Sequence, residues 1–177
     1  EQRSAAKAVN FGIVYGITAW GLARQLDCDP NRASAIIDDY KSRFRGIQSF
    51  LDECVTQAKE HGYVETIMRR RRTIRSIDSS NPQQRSMGER VAINSVVQGS
   101  AADLIKIAMN NVQVGLVKKF PNARLLMQIH DELVVEARVH EAEEVKDFLV
   151  ELMESAMDLD VPIVADASIG SSWAECK

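Results

Sequence analysis

The apolar residues of this chain change their period several times, and each change coincides with a turn signal. From Arg3 to about Leu26 they recur at three- and four-residue intervals, with Ala6, Val9, Ile13 and Val14 on one side. This predicts a helix that Gly16 can end. Asp29-Pro30-Asn31 breaks the pattern, placing Asp29 as a cap and proline in the first turn of a helix through Ile36, Ile37 and Tyr40. A second break at Phe44 to Gly46 precedes an amphipathic helix carrying Ile47, Phe50, Leu51, Cys54, Val55 and Ala58, which His61-Gly62 should terminate. Tyr63 to Ile67 and Thr73 to Ile77 read as a short β-ribbon around four arginines, and Asp78 to Pro82, DSSNP, is the clearest loop signal. A long helix is expected from about Gln84 to Lys118, buried through Ile93, Val97, Leu104, Ile105, Ala108, Met109 and Val112. Leu125 to Glu136, LLMQIHDELVVE, reads as a hairpin with His130, Asp131 and Glu132 at its tip. Glu141 to Met157 is a helix with Val145, Phe148, Leu149, Leu152 and Met153 inward, and Pro162 to Ile169 a last alternating strand expected to join the hairpin. The fold class is therefore α+β, an antiparallel layer covered by helices, with a subdomain boundary near Ser80 in the Asp78 to Pro82 loop.

Three polar arrays stand outside this scheme. Arg3, Lys7, Phe11 and Tyr15 fall at four-residue intervals and form one helical stripe, two cations followed by two aromatics. That order suits a ligand with phosphates at one end and rings at the other, although such a stripe is also found as an exposed amphipathic face. Arg90, Asn94 and Gln98 repeat the same spacing on the long helix, followed by the small residues Gly99, Ser100, Ala101 and Ala102, which let another surface approach. Donors at fixed spacing match the N3 and O2 acceptors that every base pair presents in the DNA minor groove; a solvated polar face is the plainer reading. The hairpin tip holds the third array. No glycine supplies an easy primed turn there, and a carboxylate on a rigid tip is a suitable ligand for a hard cation such as magnesium, while an ordinary polar turn remains the alternative.

At 177 residues with 45% hydrophobic content, the chain can bury a core, and no apolar run approaches the roughly twenty residues of a membrane-spanning helix. A cytoplasmic location is expected. Cys28, Cys54 and Cys176 are widely spaced and suggest neither a disulfide framework nor a zinc site. The net charge of -3 conceals an asymmetry: residues 1–90 hold 15 Lys+Arg against 11 Asp+Glu, and residues 91–177 hold 7 against 14. Arg69, Arg70, Arg71, Arg72 and Arg75, with Arg85 and Arg90 beyond them, give the basic half the local density that phosphate binding needs.

Taken together, RSAAKAVNFGIVYG, RVAINSVVQGSAADLIK and QIHDELVVE resemble the family A DNA polymerases, the bacterial DNA polymerase I family, in the order that family uses. The likeness extends through GYVET, IDSSNP and VPIVADASIGSSW. It implies an incomplete right-hand polymerase fold, with residues 1–80 as part of the helical fingers and 81–177 as the C-terminal part of the palm. It further implies that Arg3 and Lys7 hold the triphosphate of an incoming deoxynucleotide, that Phe11 packs on its sugar and base, and that Tyr15 guards the templating position. Arg90, Asn94 and Gln98 would contact the primer-template, Arg85 its backbone, and Asp131 would bind catalytic magnesium with His130 and Glu132 beside the primer end. Two magnesium ions serve the complete enzyme of that family, whose other metal-binding aspartate lies in a motif resembling DYSQIELR. No such segment occurs in these residues, nor does a thumb, so the chain alone is expected to be inactive. Three rival readings are a noncatalytic nucleic-acid-binding module, a single-subunit RNA polymerase, whose hairpin tip would resemble HDS rather than HDE, and a phosphohydrolase built on His130-Asp131.

Overall fold

The computed structural model describes residues 2–176. Their order is α1 (Gln2–Val14), α2 (Ala19–Leu26), α3 (Pro30–Arg43), α4 (Arg45–His61), β1 (Tyr63–Glu65), β2 (Arg71–Thr73), α5 (Pro82–Lys119), β3 (Arg124–Ile129), β4 (Glu132–Glu136) and α6 (Ala142–Glu154). The chain divides into two compact units, one ending at Ser100 and the other beginning at Ala101, so that α5 runs through the division.

The first unit opens on two helices, because the helical period from Arg3 to about Leu26 is interrupted at Gly16, the residue expected to be able to end it. Gly16, at φ 73°, ends α1: its N–H donates to the Ile13 carbonyl at 3.0 Å, and the Ile17 N–H reaches back to the Gly12 carbonyl at 2.8 Å. This paired closure requires a left-handed residue, which glycine adopts without steric cost. Thr18 then caps α2 by accepting from Gly21 N–H, and Leu22, Ala23 and Ala33 form a buried cluster between α2 and α3. At the start of α3 the Asp29 carboxylate accepts from Asn31 N–H at 2.7 Å with Pro30 in the first turn, as the sequence predicts. Gly62, at φ 73°, stops α4 as expected.

The ribbon departs from expectation. Its second strand is Arg71–Thr73 rather than Thr73 to Ile77, paired Tyr63 to Thr73, Val64 to Arg72 and Glu65 to Arg71. The segment beyond leaves the ladder because Ile74 and Ile77 are taken into a core with Ala58, Val64 and Ala92, where burying each such side chain contributes about 1.5–3 kcal/mol. Arg69 sits in the turn at φ 57°, a left-handed conformation that costs a non-glycine residue roughly 1 kcal/mol or more. Two close approaches fasten the segment to α5. A methyl group added at Gly88 would lie 2.9 Å from the Ser76 backbone, and one at Gly99 would lie 2.6 Å from Thr66 Cγ2. The small residues after Gln98 therefore receive the ribbon: Ser100 Oγ accepts the Ile67 N–H at 2.9 Å.

In the second unit, β3 and β4 form a two-stranded antiparallel hairpin with a bulge between Leu125 and Met127. Leu125, Leu133 and Val135 pack with Phe148, Leu149 and Leu152 of α6 around Val112, Leu116, Phe120, Ala123 and Val145. The expected third strand is absent. Pro162 to Ile169 carries no regular secondary structure, and Val161 and Val164 are 72% and 76% exposed, so alternation along the segment does not reflect pairing. The last helix is shorter than Glu141 to Met157; Val139–Glu141 forms a single 3-10 turn and α6 ends at Glu154. No helix among the described residues is long and apolar enough to cross a membrane.

Candidate nucleotide and nucleic-acid surfaces

The stripe on α1 faces an open groove. Arg3, Ala6, Lys7, Val9, Asn10 and Phe11 line one side and Tyr40 and Phe44 of the α3 end line the other, enclosing about 550 Å³. Arg3, Lys7 and Phe11 are exposed in it, and Phe11 stacks on Tyr15 with ring centroids 6.5 Å apart and planes inclined by 13°. Helical spacing sets each member of the stripe beside the next, and Tyr15 meets Phe11 but does not line the groove. Asn10, Tyr40 and Phe44 were not expected here. The Tyr40 hydroxyl donates to Asn10 Oδ1, tying α3 to α1, and the Tyr40 and Phe44 rings lie 4.7 Å apart. Spacing was the one local signal, with Asn10 three residues after Lys7 and Tyr40 four before Phe44, and it does not reveal that the two helices meet. Two ammonium or guanidinium groups beside aromatic faces can bind phosphates at one end and a planar ring at the other.

The polar stripe of α5 begins beside that helix end. A methyl group added at Gly16 would lie 2.9 Å from Arg90 Cγ, so the arginine stem runs against the turn that closes α1. Asn94 is half-buried and its Oδ1 has no hydrogen-bond partner among the described residues, whereas Gln98 is exposed. An amide oxygen without a partner in a half-buried position is costly, and a ligand or water supplying a donor would relieve it. Arg85 is exposed, with Nη1 3.4 Å from the Ser79 carbonyl that accepts from it.

In the second unit, His130 and Asp131 alone make the connection between β3 and β4, and Glu132 is the first residue of β4, paired with Ile129. His130 adopts φ 55°, which replaces the glycine a tight hairpin would ordinarily use, and its carbonyl accepts from Gln128 Nε2. All three ionisable side chains at this tip are exposed. Among the described residues no group of three or more His, Cys, Asp or Glu side chains is arranged to hold a metal. One exposed carboxylate is nonetheless compatible with magnesium, which is usually bound through one or two carboxylates, with water and phosphate oxygens completing its shell.

The family model described as DNA polymerase family A matches residues 1–175. The chain belongs to DNA polymerase family A. It is similar to DNA polymerase I of Streptococcus pneumoniae serotype 4 (strain ATCC BAA-334 / TIGR4) and of Bacillus subtilis (strain 168), at 46% identity over 175 residues in each case, covering 99% of this chain and 20% of each relative. It thus spans about a fifth of the length of the curated relatives it matches. Among solved structures it resembles the POL domain of Pol1 from M. smegmatis in complex with DNA primer-template and dNTP, with a TM-score of 0.86 and 41% identity over 90% of this chain and 28% of that one. The helical first unit and small antiparallel hairpin are accordingly an incomplete right-hand polymerase fold of the family A type.

Proposed function

We propose that this chain supplies fingers and palm elements, residues 1–80 and 81–177 respectively, to a DNA-directed DNA polymerase that extends a primer by deoxynucleotide addition in replication and repair. The observation that carries the reading is the groove in which Arg3, Lys7 and Phe11 of α1 face Tyr40 and Phe44. Its cations suit a triphosphate and its rings a sugar and base. The membership in family A and the solved relative bound to primer-template and dNTP support the same assignment.

In the proposed reaction the primer 3′-hydroxyl oxygen, giving up its proton to water, attacks the α-phosphorus of the nucleotide, the bond between that phosphorus and the α,β-bridging oxygen breaks, and pyrophosphate leaves. Arg3 and Lys7 hold the triphosphate, and Lys7 donates a proton to the departing pyrophosphate. Phe11 packs on the sugar and base and Tyr15 guards the templating position. Arg90, Asn94 and Gln98 test the new pair from the minor groove with donors that do not read sequence, and Arg85 contacts the backbone. Asp131 would hold magnesium, with His130 and Glu132 next to the primer end. The two ions of a complete enzyme would activate the attacking oxygen and stabilise the leaving group.

One carboxylate does not make a two-ion site, so the chain alone is proposed to be inactive. A test measures both binding and turnover by the purified 177-residue chain. Binding of a fluorescent deoxynucleoside triphosphate, weakened by Lys7→Ala and by Arg3→Ala, is the expected result, together with no primer extension. Extension by the chain would overturn the proposed inactivity, and nucleotide binding indifferent to both substitutions would overturn the site.

A further inference from the structure

The polymerase reading leaves the turn between β1 and β2 without a role, although it is the most basic surface of the chain. Residues 62–80 carry Arg69, Arg70, Arg71, Arg72 and Arg75 against two carboxylates, Glu65 and Asp78. Arg71 is committed internally: its Nε meets Glu65 Oε1 at 2.9 Å, and its guanidinium lies over the Tyr63 ring, 4.6 Å from the centroid. Arg69, Arg72 and Arg75 differ. They are exposed and make no side-chain hydrogen bond or ion pair among the described residues.

Arg69 is the telling position. At φ 57° it occupies backbone space that glycine fills without strain, yet a long cationic side chain stands there with no described partner. Backbone strain of this kind gathers where a side chain has work outside the fold. The turn that displays it is rigid: Thr66 N–H donates to the Arg70 carbonyl at 3.0 Å, Arg69 N–H to the Thr66 carbonyl at 2.8 Å, and Arg70 N–H to Thr66 Oγ1 at 3.1 Å. Ser100 anchors it from α5 through Ile67 N–H. At the tip, Ile67 and Met68 are 50% and 55% exposed, giving apolar area among the cations.

We infer that this turn is a second DNA contact, in which Arg69, Arg72 and Arg75 grip the phosphodiester backbone while Ile67 and Met68 lie against sugars or unstacked bases. Guanidinium groups match phosphate oxygens in fork geometry, and apolar tips flanked by arginine recur where proteins press on nucleic acid. The partner rests on the polymerase reading above. The contact adds a surface to it that lies outside the nucleotide groove and outside the stripe of Arg90, Asn94 and Gln98.

The test is fluorescence anisotropy of the purified chain with a labelled primer-template, a single-stranded oligonucleotide and a blunt duplex, each across a potassium chloride series. Replacing Arg69, Arg72 and Arg75 together by Gln should lower the slope of log affinity against log salt by about 1 per arginine, and equally for different base sequences. The arm in which the change appears identifies single-stranded or duplex backbone as the ligand. Arg69→Gly alone should lower the slope by about 1 while leaving the thermal midpoint unchanged or higher, a combination that a purely structural arginine would not produce. An unchanged slope in both variants, with DNA binding intact, overturns the inference and leaves the polymerase reading standing. Failure of the unsubstituted chain to bind any of the three DNAs overturns both.

Discussion

Gly99→Ala sets two well-known magnitudes against each other, and the structure decides which prevails. Within α5 an alanine is favoured over glycine by about 1 kcal/mol, so helix propensity alone predicts a more stable protein. The added Cβ, however, would sit 2.6 Å from Thr66 Cγ2, where carbon atoms normally approach no closer than about 3.5 Å. Thr66 cannot rotate away freely, because its β-branched side chain has few rotamers and its Oγ1 accepts the Arg70 N–H. Overpacking of this kind costs about 1–3 kcal/mol, which leaves a net loss of about 1 kcal/mol after the propensity gain. Urea denaturation followed by far-ultraviolet circular dichroism measures it. The Thr66→Ser background removes the opposing methyl and keeps the hydroxyl, so Gly99→Ala introduced there should be neutral or stabilising, giving a coupling above about 0.5 kcal/mol. Gly46, which has no atom within 4 Å of an added Cβ, is the control, and Gly46→Ala should gain up to about 1 kcal/mol. A Gly99→Ala protein that gains stability in the unsubstituted background would refute the reasoning.

Two further predictions follow from single contacts. Tyr40→Phe removes the hydroxyl that donates to Asn10 Oδ1 and should loosen the proposed nucleotide face of α1, weakening binding of a fluorescent deoxynucleoside triphosphate by about two- to tenfold with unchanged secondary structure; unaltered affinity would show the bond to be incidental. Burial, aided by the neighbouring Glu53 charge, pushes the Cys54 thiol from 9.0 up to about 11. The unfolded thiol therefore ionises first, so the stability this group contributes is complete below pH 9 and falls as pH rises towards 11, by about 3 kcal/mol at most. Comparing denaturation of the protein and its Cys54→Ala variant across that window isolates the effect, and identical pH slopes would contradict it.

Most of the helical architecture was legible because its boundaries are chemical. Asp29 and Pro30 announce a first turn, Gly62 a last one, and the four-residue stripe of Arg3, Lys7, Phe11 and Tyr15 places four side chains on one surface whatever surrounds them. Where the sequence reading failed, the deciding contact came from a distant residue. Ile74 and Ile77 carry strand-like residue types, yet the packing of that segment against α5 at Gly88 draws them into a core and leaves Arg71 and Arg72 to pair with β1. Alternation in Pro162 to Ile169 likewise indicates readiness to pair rather than a partner, and the described residues offer it none. Of the groove partners, Tyr40 was read only as part of a structural helix and Phe44 only as the break after it, since nothing local to α3 reveals that its last turn lies opposite Asn10.

Among the described residues the hairpin that carries Asp131 has two strands, and a ribbon of that size is marginal in water unless something braces it. Its brace is the apolar cluster of Val112, Leu116 and Val145 beneath Leu125, Leu133 and Val135. The acidic tip is thus a cantilever whose aim is set at its root: a shortened aliphatic side chain deep in that cluster, touching no ion and no substrate, would tilt the carboxylate as surely as a change beside it. Damage to such a site would then enter by the foundation, and a survey of harmful substitutions confined to charged residues would overlook it.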